Sequence, residues 1–154
     1  MKIIFLFFGF VYTANFRCKK FSKKNWEVFC TTRFKEKAKE IESLNATPVF
    51  FDDEEKIESI LSKNSYILST APPENGKDPV VENYGYLFKK NSERIKWLGY
   101  LSTTSVYGDK KGGWVTEDTV LEPNLERSVS RVAAEKSWLR FGEKFSIKTM
   151  IFRL

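Results

Sequence analysis

Ile3 to Phe8 is a run of six apolar residues without polar alternation, the pattern of a strand buried on both faces of a parallel sheet. Shorter apolar runs recur at Trp26–Cys30, Val49–Phe51, Tyr66–Ser69, Trp97–Leu101 and Ile147–Arg153. Between them the apolar positions switch to helical spacing. Ala38, Ile41 and Leu44 predict a helix over 35–44, and Ile57, Ile60 and Leu61 predict one over 54–63. Further helices are predicted over 15–24, 80–91 and 125–141. Strand alternating with helix in this order predicts an α/β fold, a doubly wound parallel sheet of about six strands, because each parallel crossover needs a helix-length connection.

The 154 residues are enough for one domain with a real core, so 1–154 reads as a single unit. A hydrophobic share of 42% against 30% charged argues for a folded chain over a disordered one. The net charge of +6 alone would fit nucleic acid, a membrane surface or a phosphorylated ligand. The cations are scattered among acids, as in Lys35–Glu40, so they read as solvated helix faces and not as a nucleic-acid stripe. With no His, and only Cys18 and Cys30 as thiols, zinc ligation and His-based catalysis are excluded and no metal is expected. Two cysteines without a disulfide framework predict a reducing, cytoplasmic setting. Lys2 and the run after it imitate a signal peptide. That run is short, however, and is followed by basic residues, without a small-residue cleavage site, and it is far below the roughly 20 apolar residues of a membrane span.

Ligands of open α/β sheets bind beyond the carboxyl ends of the strands, and here those ends carry the polar chemistry. The fifth run breaks into Ser102-Thr103-Thr104-Ser105 and then Val106-Tyr107-Gly108-Asp109, a cluster of donors and acceptors followed by a glycine that lets the backbone turn. After the first strand, Gly9, Val11 and Ala14 stand where a dinucleotide turn has Gly-x-Gly-x-x-Gly. Val11 sets a branched side chain where phosphate would approach, so a plain loop remains the competing reading. The second run ends in Thr31-Thr32-Arg33 instead of the acid that binds a ribose 2'-hydroxyl. A guanidinium there suits a 2'-phosphate, favouring NADP over NAD. Taken alone, Arg33 also reads as a solvated cation at a helix start.

Together with Ser69-Thr70-Ala71-Pro72-Pro73, Asp78-Pro79, Trp114-Val115 and Glu117, these segments resemble the NAD(P)-dependent epimerase/dehydratase group of the extended and atypical short-chain dehydrogenase/reductases. The resemblance runs from end to end and implies a Rossmann fold. It implies an NADP or NAD site at Gly9, Phe10, Val11, Tyr12, Thr13, Thr32, Arg33, Thr70, Ala71, Pro72 and Ser102. It further implies a substrate hydrogen bond from Thr103, hydride transfer on a sugar nucleotide or another carbonyl compound, and a homodimer as the common assembly. Two departures limit the carry-over. The place of the family's Tyr-x-x-x-Lys falls on Arg127-Ser128-Val129-Ser130-Arg131, and an arginine does not exchange a proton near neutral pH. Tyr107 is the nearest phenol and the remaining catalytic candidate, although the family would use it structurally. The family's sixth strand also leads into a substrate region, whereas this chain ends at Leu154, so the domain is expected to be incomplete at its C-terminus. The alternative function is therefore a non-catalytic dinucleotide-binding or regulatory module.

Overall fold

The computed structural model describes residues 3–21 and 26–154. In chain order the elements are β1 (Ile3–Phe8), α1 (Tyr12–Phe21), β2 (Trp26–Thr32), α2 (Lys35–Ser43), β3 (Thr47–Phe50), α3 (Glu54–Leu61) and β4 (Ser65–Ser69). These are followed by α4 (Pro79–Lys90), β5 (Ile95–Ser102), a 3-10 turn over Thr104–Tyr107, α5 (Glu126–Lys144) and β6 (Thr149–Arg153). The predicted extension of the first helix over residues 22–24 lies outside the described residues.

All six strands are parallel, in the order β3-β2-β1-β4-β5-β6. The predicted doubly wound sheet is thus the one observed. β1 sits in the middle, and its unbroken apolar run serves both faces. Ile4, Leu6 and Phe8 join the larger core with α3, α4 and α5, while Phe5 and Phe7 join the smaller one with α1 and α2. Alternation of side chains along the strand sends successive residues to opposite faces.

The order reverses between β1 and β4: the chain winds outward from β1 through β2 to β3, then returns to β4 on the other side of β1. The loops leaving these two neighbours therefore diverge to opposite faces and open a crevice at their carboxyl ends. Register puts the loops on one edge, since Phe8 pairs with Ser69 and Ser69 with Tyr100.

Several boundaries move from their predicted places. β2 continues through Thr31 and Thr32, and β5 runs from Ile95 to Ser102, because a buried ladder accepts polar residues whose backbone groups stay paired. α4 begins one residue early at Pro79, behind an Asp78 cap that accepts from the Val80 and Val81 amides at 2.9 and 3.0 Å. Proline fits this position because a first-turn amide has no intrahelical acceptor to lose. The expected polar loop after β5 is partly the 3-10 turn, capped by Thr103, whose hydroxyl accepts from Ser105 N.

Candidate functional site

Gly9 closes β1 with φ at +99°, and a Cβ there would lie 2.7 Å from Thr70 Oγ1. Only glycine suits both the left-handed backbone and that close approach. The turn is locked from its two neighbouring strands. Gly9 N donates to Thr31 Oγ1 at 2.9 Å, and Thr70 Oγ1 donates to the carbonyls of Phe8 and Gly9 at 3.1 and 3.0 Å. Beyond the turn, α1 starts at Tyr12 with no acidic residue in its first turn. The N-terminus of a helix carries partial positive charge, and here no acidic side chain of the first turn offsets it.

Two cavities share this edge and meet at Pro72. One, of about 240 Å³, is lined by Gly9, Phe10, Val11, Thr31, Thr32, Arg33, Phe34, Lys37, Phe51, Ala71, Pro72 and Glu74. Here Arg33 lies 4.9 Å over the Phe51 ring and pairs with Glu74 at 2.6 Å. The other, of about 660 Å³, is lined by Pro72, Pro73, Asn75, Gly76, Thr103, Ser105, Glu126, Arg127, Ser130 and Arg131. Its wall is firm: Arg131 Nη1 donates to the Leu101 carbonyl at 2.9 Å and to the Tyr100 hydroxyl at 3.0 Å. Ser128 Oγ donates to Ser105 Oγ at 2.8 Å.

The structure therefore gathers Gly9, Phe10, Val11, Thr32, Arg33, Ala71 and Pro72 around one cavity and sets Thr103 in the adjoining one. Thr70 contributes from behind the turn. Other expected residues stand apart: Tyr12 projects outward at 86% exposure, and Thr13, Ser102 and Tyr107 line neither cavity. Ser102 Oγ is buried without a hydrogen-bond partner among the described residues.

Tyr107 is committed elsewhere. Its hydroxyl accepts from Arg153 Nη1 at 2.8 Å, and its ring lies 5.0 Å beneath the same guanidinium, which also grips the buried Glu135. Tyr100 is the phenol nearest Arg131, but it is fully buried. Burial outweighs the arginine's charge and pushes its hydroxyl up to about 12, so it neither gives nor takes a proton readily near neutral pH. No tyrosine borders the larger cavity.

Phe51, Glu74, Asn75, Arg127 and Arg131 line the two cavities without having been expected to hold a cofactor or substrate there. The arginines carry the one sequence signal, their place on the first turns of α5. Phe51 and Glu74 meet Arg33 only through the fold, from sequence distances that no local pattern reports. Among the described residues no cluster of His, Cys, Asp and Glu fits a metal, and no helix is long and apolar enough to cross a membrane.

No protein-family model and no curated protein matches the chain. Solved structures do. A functionally unknown conserved protein from Silicibacter pomeroyi is 32% identical with a TM-score of 0.88, over 98% of this chain and 51% of that one. The UDP-glucuronic acid 4-epimerase of Bacillus cereus, in complex with NAD, is 23% identical with a TM-score of 0.72, over 97% and 56%. A dTDP-glucose 4,6-dehydratase of Bacillus anthracis, also in complex with NAD, is 18% identical with a TM-score of 0.69, over 99% and 54%. The chain thus has the Rossmann fold of the epimerase/dehydratase structures, and it spans about half the length of the proteins it matches.

Proposed function

We propose that this chain is a dinucleotide-binding Rossmann domain of the epimerase/dehydratase kind, with NADP or NAD lying along the crevice from Arg33 past Gly9 to Thr103. One observation carries this reading: the tight glycine turn and two cavities that meet at Pro72 share the carboxyl edge of the sheet at its switch point. The residues fit the group. A cradle that a Cβ would fill lies just ahead of the N-terminus of α1, which suits a pyrophosphate. Phe51 offers a flat apolar surface, and Arg33 a planar donor for a 2'-phosphate, which favours NADP. Tyr12, Thr13 and Ser102, outside the lining, act by shaping the turn and the strand end.

When bound, such a dinucleotide supplies hydride transfer. This chain's own part is to hold the phosphates at the turn and to orient a carbonyl or hydroxyl compound, of which a sugar nucleotide is one class, through the Thr103 hydroxyl. The two cysteines without a disulfide framework support a cytoplasmic setting. Isothermal titration with NADPH and NADH tests the reading: saturable one-to-one binding, tighter for NADPH, is expected. Absence of binding at millimolar cofactor, in protein shown to be folded, contradicts it.

A specific observation also favours binding without turnover. Arg127 and Arg131 occupy the acid/base places, and no phenol borders the larger cavity. A carbonyl panel with NADPH separates the two. Reduction abolished by Thr103→Ala would establish turnover, and its absence alongside intact cofactor binding would establish the module.

A further inference from the structure

We propose that the larger cavity is a receptor for an anionic oxygen group, a carboxylate or a phosphate ester, clamped between Arg127 and Arg131. The inference rests on the reading above only for what fills the neighbouring cavity. Where proton transfer would ordinarily be organised, this chain presents two guanidinium groups four residues apart on α5, one helical turn and therefore one face. They differ in how they are held. Arg131 is half-buried and fixed through Nη1 on Leu101 and Tyr100, which leaves its Nη2 and Nε without partners among the described residues. A guanidinium whose position is already fixed loses little freedom on engaging a bidentate acceptor.

Arg127 is exposed and makes no ion pair among the described residues, although acids are plentiful in this chain. It is the exposed jaw. Thr103, at the end of β5, and Ser130, on α5 beside Arg131, supply hydroxyls that donate to the remaining oxygens of such a group. Glu126 is the one acid in the lining, so the cavity keeps a net positive charge. Its carboxylate belongs to the first turn of α5, where the helix end favours it. At about 660 Å³ the space is large enough for a sugar-sized body beyond the anionic group.

The consequence is a substrate class. The compound received here carries a negative charge close to the Thr103 hydroxyl, and a neutral carbonyl compound of the same size is discriminated against, because it leaves both guanidinium groups unmatched.

The test uses the full chain and three probes that share one ring: glucuronate for a carboxylate, glucose 6-phosphate for a phosphate ester, and glucose for neither. Calorimetric titrations are run with and without saturating NADPH. Expected is saturable binding of at least one charged probe and none of glucose. Affinity should fall about tenfold or more in Arg127→Gln, the loss of a charge-assisted hydrogen bond. Arg127 is exposed, so that variant keeps the fold, and a matched circular dichroism melt checks it. Arg131→Lys retains charge but not the fork, and weakens the charged probes again. Equal binding of glucose, an unchanged affinity in folded Arg127→Gln, or complete competition by NADPH overturns the anion receptor. NADPH binding without charged-probe binding removes this inference alone. Charged-probe binding without NADPH binding supports it and removes the dinucleotide reading instead.

Discussion

Gly9 is the position where one added carbon matters most. With its φ at +99° and Thr70 Oγ1 2.7 Å from the site of a Cβ, Gly9→Ala forces either the turn or its threonine lock to move. We expect it to cost about 1–3 kcal/mol of stability in urea unfolding, the usual range for backbone strain of this kind, and to weaken NADPH binding in parallel. Arg33 poses a different balance. Its pair with Glu74 is about half exposed on both sides, so the pair adds little stability, about 0–1 kcal/mol, but it competes with any incoming phosphate. Arg33→Ala should weaken NADPH about tenfold while leaving NADH nearly unchanged. Glu74→Gln should tighten NADPH with no effect on NADH. Equal responses of the two cofactors, measured by titration, would detach Arg33 from the 2'-phosphate.

Asp78 joins two elements, capping α4 and accepting from Trp138 Nε1 of α5 at 3.0 Å. Burial raises its carboxyl above the ordinary value of 3.8, outweighing the Trp138 and amide hydrogen bonds that favour the ionised form. A carboxyl raised on folding holds its proton more tightly in the native state, so its contribution is full below the unfolded value and lost as pH rises through the folded one. The stability of the wild type relative to Asp78→Asn should therefore decline as pH rises from about 4, read from denaturant midpoints. A relative gain over that window would contradict the burial account. Cys18 of α1 and Cys30 of β2 form a second junction, with sulfurs 3.0 Å apart and both side chains fully buried. The neighbouring thiol and burial push Cys30 up. Native protein should leave a thiol reagent unreacted and release two thiols only on unfolding.

The elements themselves were largely legible, since a central parallel strand must be apolar throughout and its crossover helices must show one apolar stripe. What escaped were strand ends at Thr31, Thr32 and Ser102, where paired backbone hides polar side chains. The Asp78-Pro79 start and the 3-10 turn after Thr103 escaped too, because capping decides them and not periodicity. The Gly9 turn and Thr103 were visible as motifs. Phe51 and Glu74 were not, because they reach Arg33 only by the folding of strands distant in sequence.

At the scale of the whole molecule, the strand order converts separate loops into one crevice, with a compact cavity at the Arg33 end and a roomier one at the Arg131 end. A dinucleotide lying along the crevice from Arg33 to Thr103 stabilises the native state by mass action, about 2.7 kcal/mol at a hundredfold excess over its Kd, and so raises the melting temperature with NADPH concentration. The most direct measurement is a map of backbone amide NMR shifts during NADPH titration. Saturable shifts with a single Kd are expected at both ends of the crevice, at Gly9 and Phe10 and again at Thr103 and Ser105. Shifts at neither end, or confined to the lysine-bearing helix surfaces away from the strand ends, would contradict the dinucleotide reading.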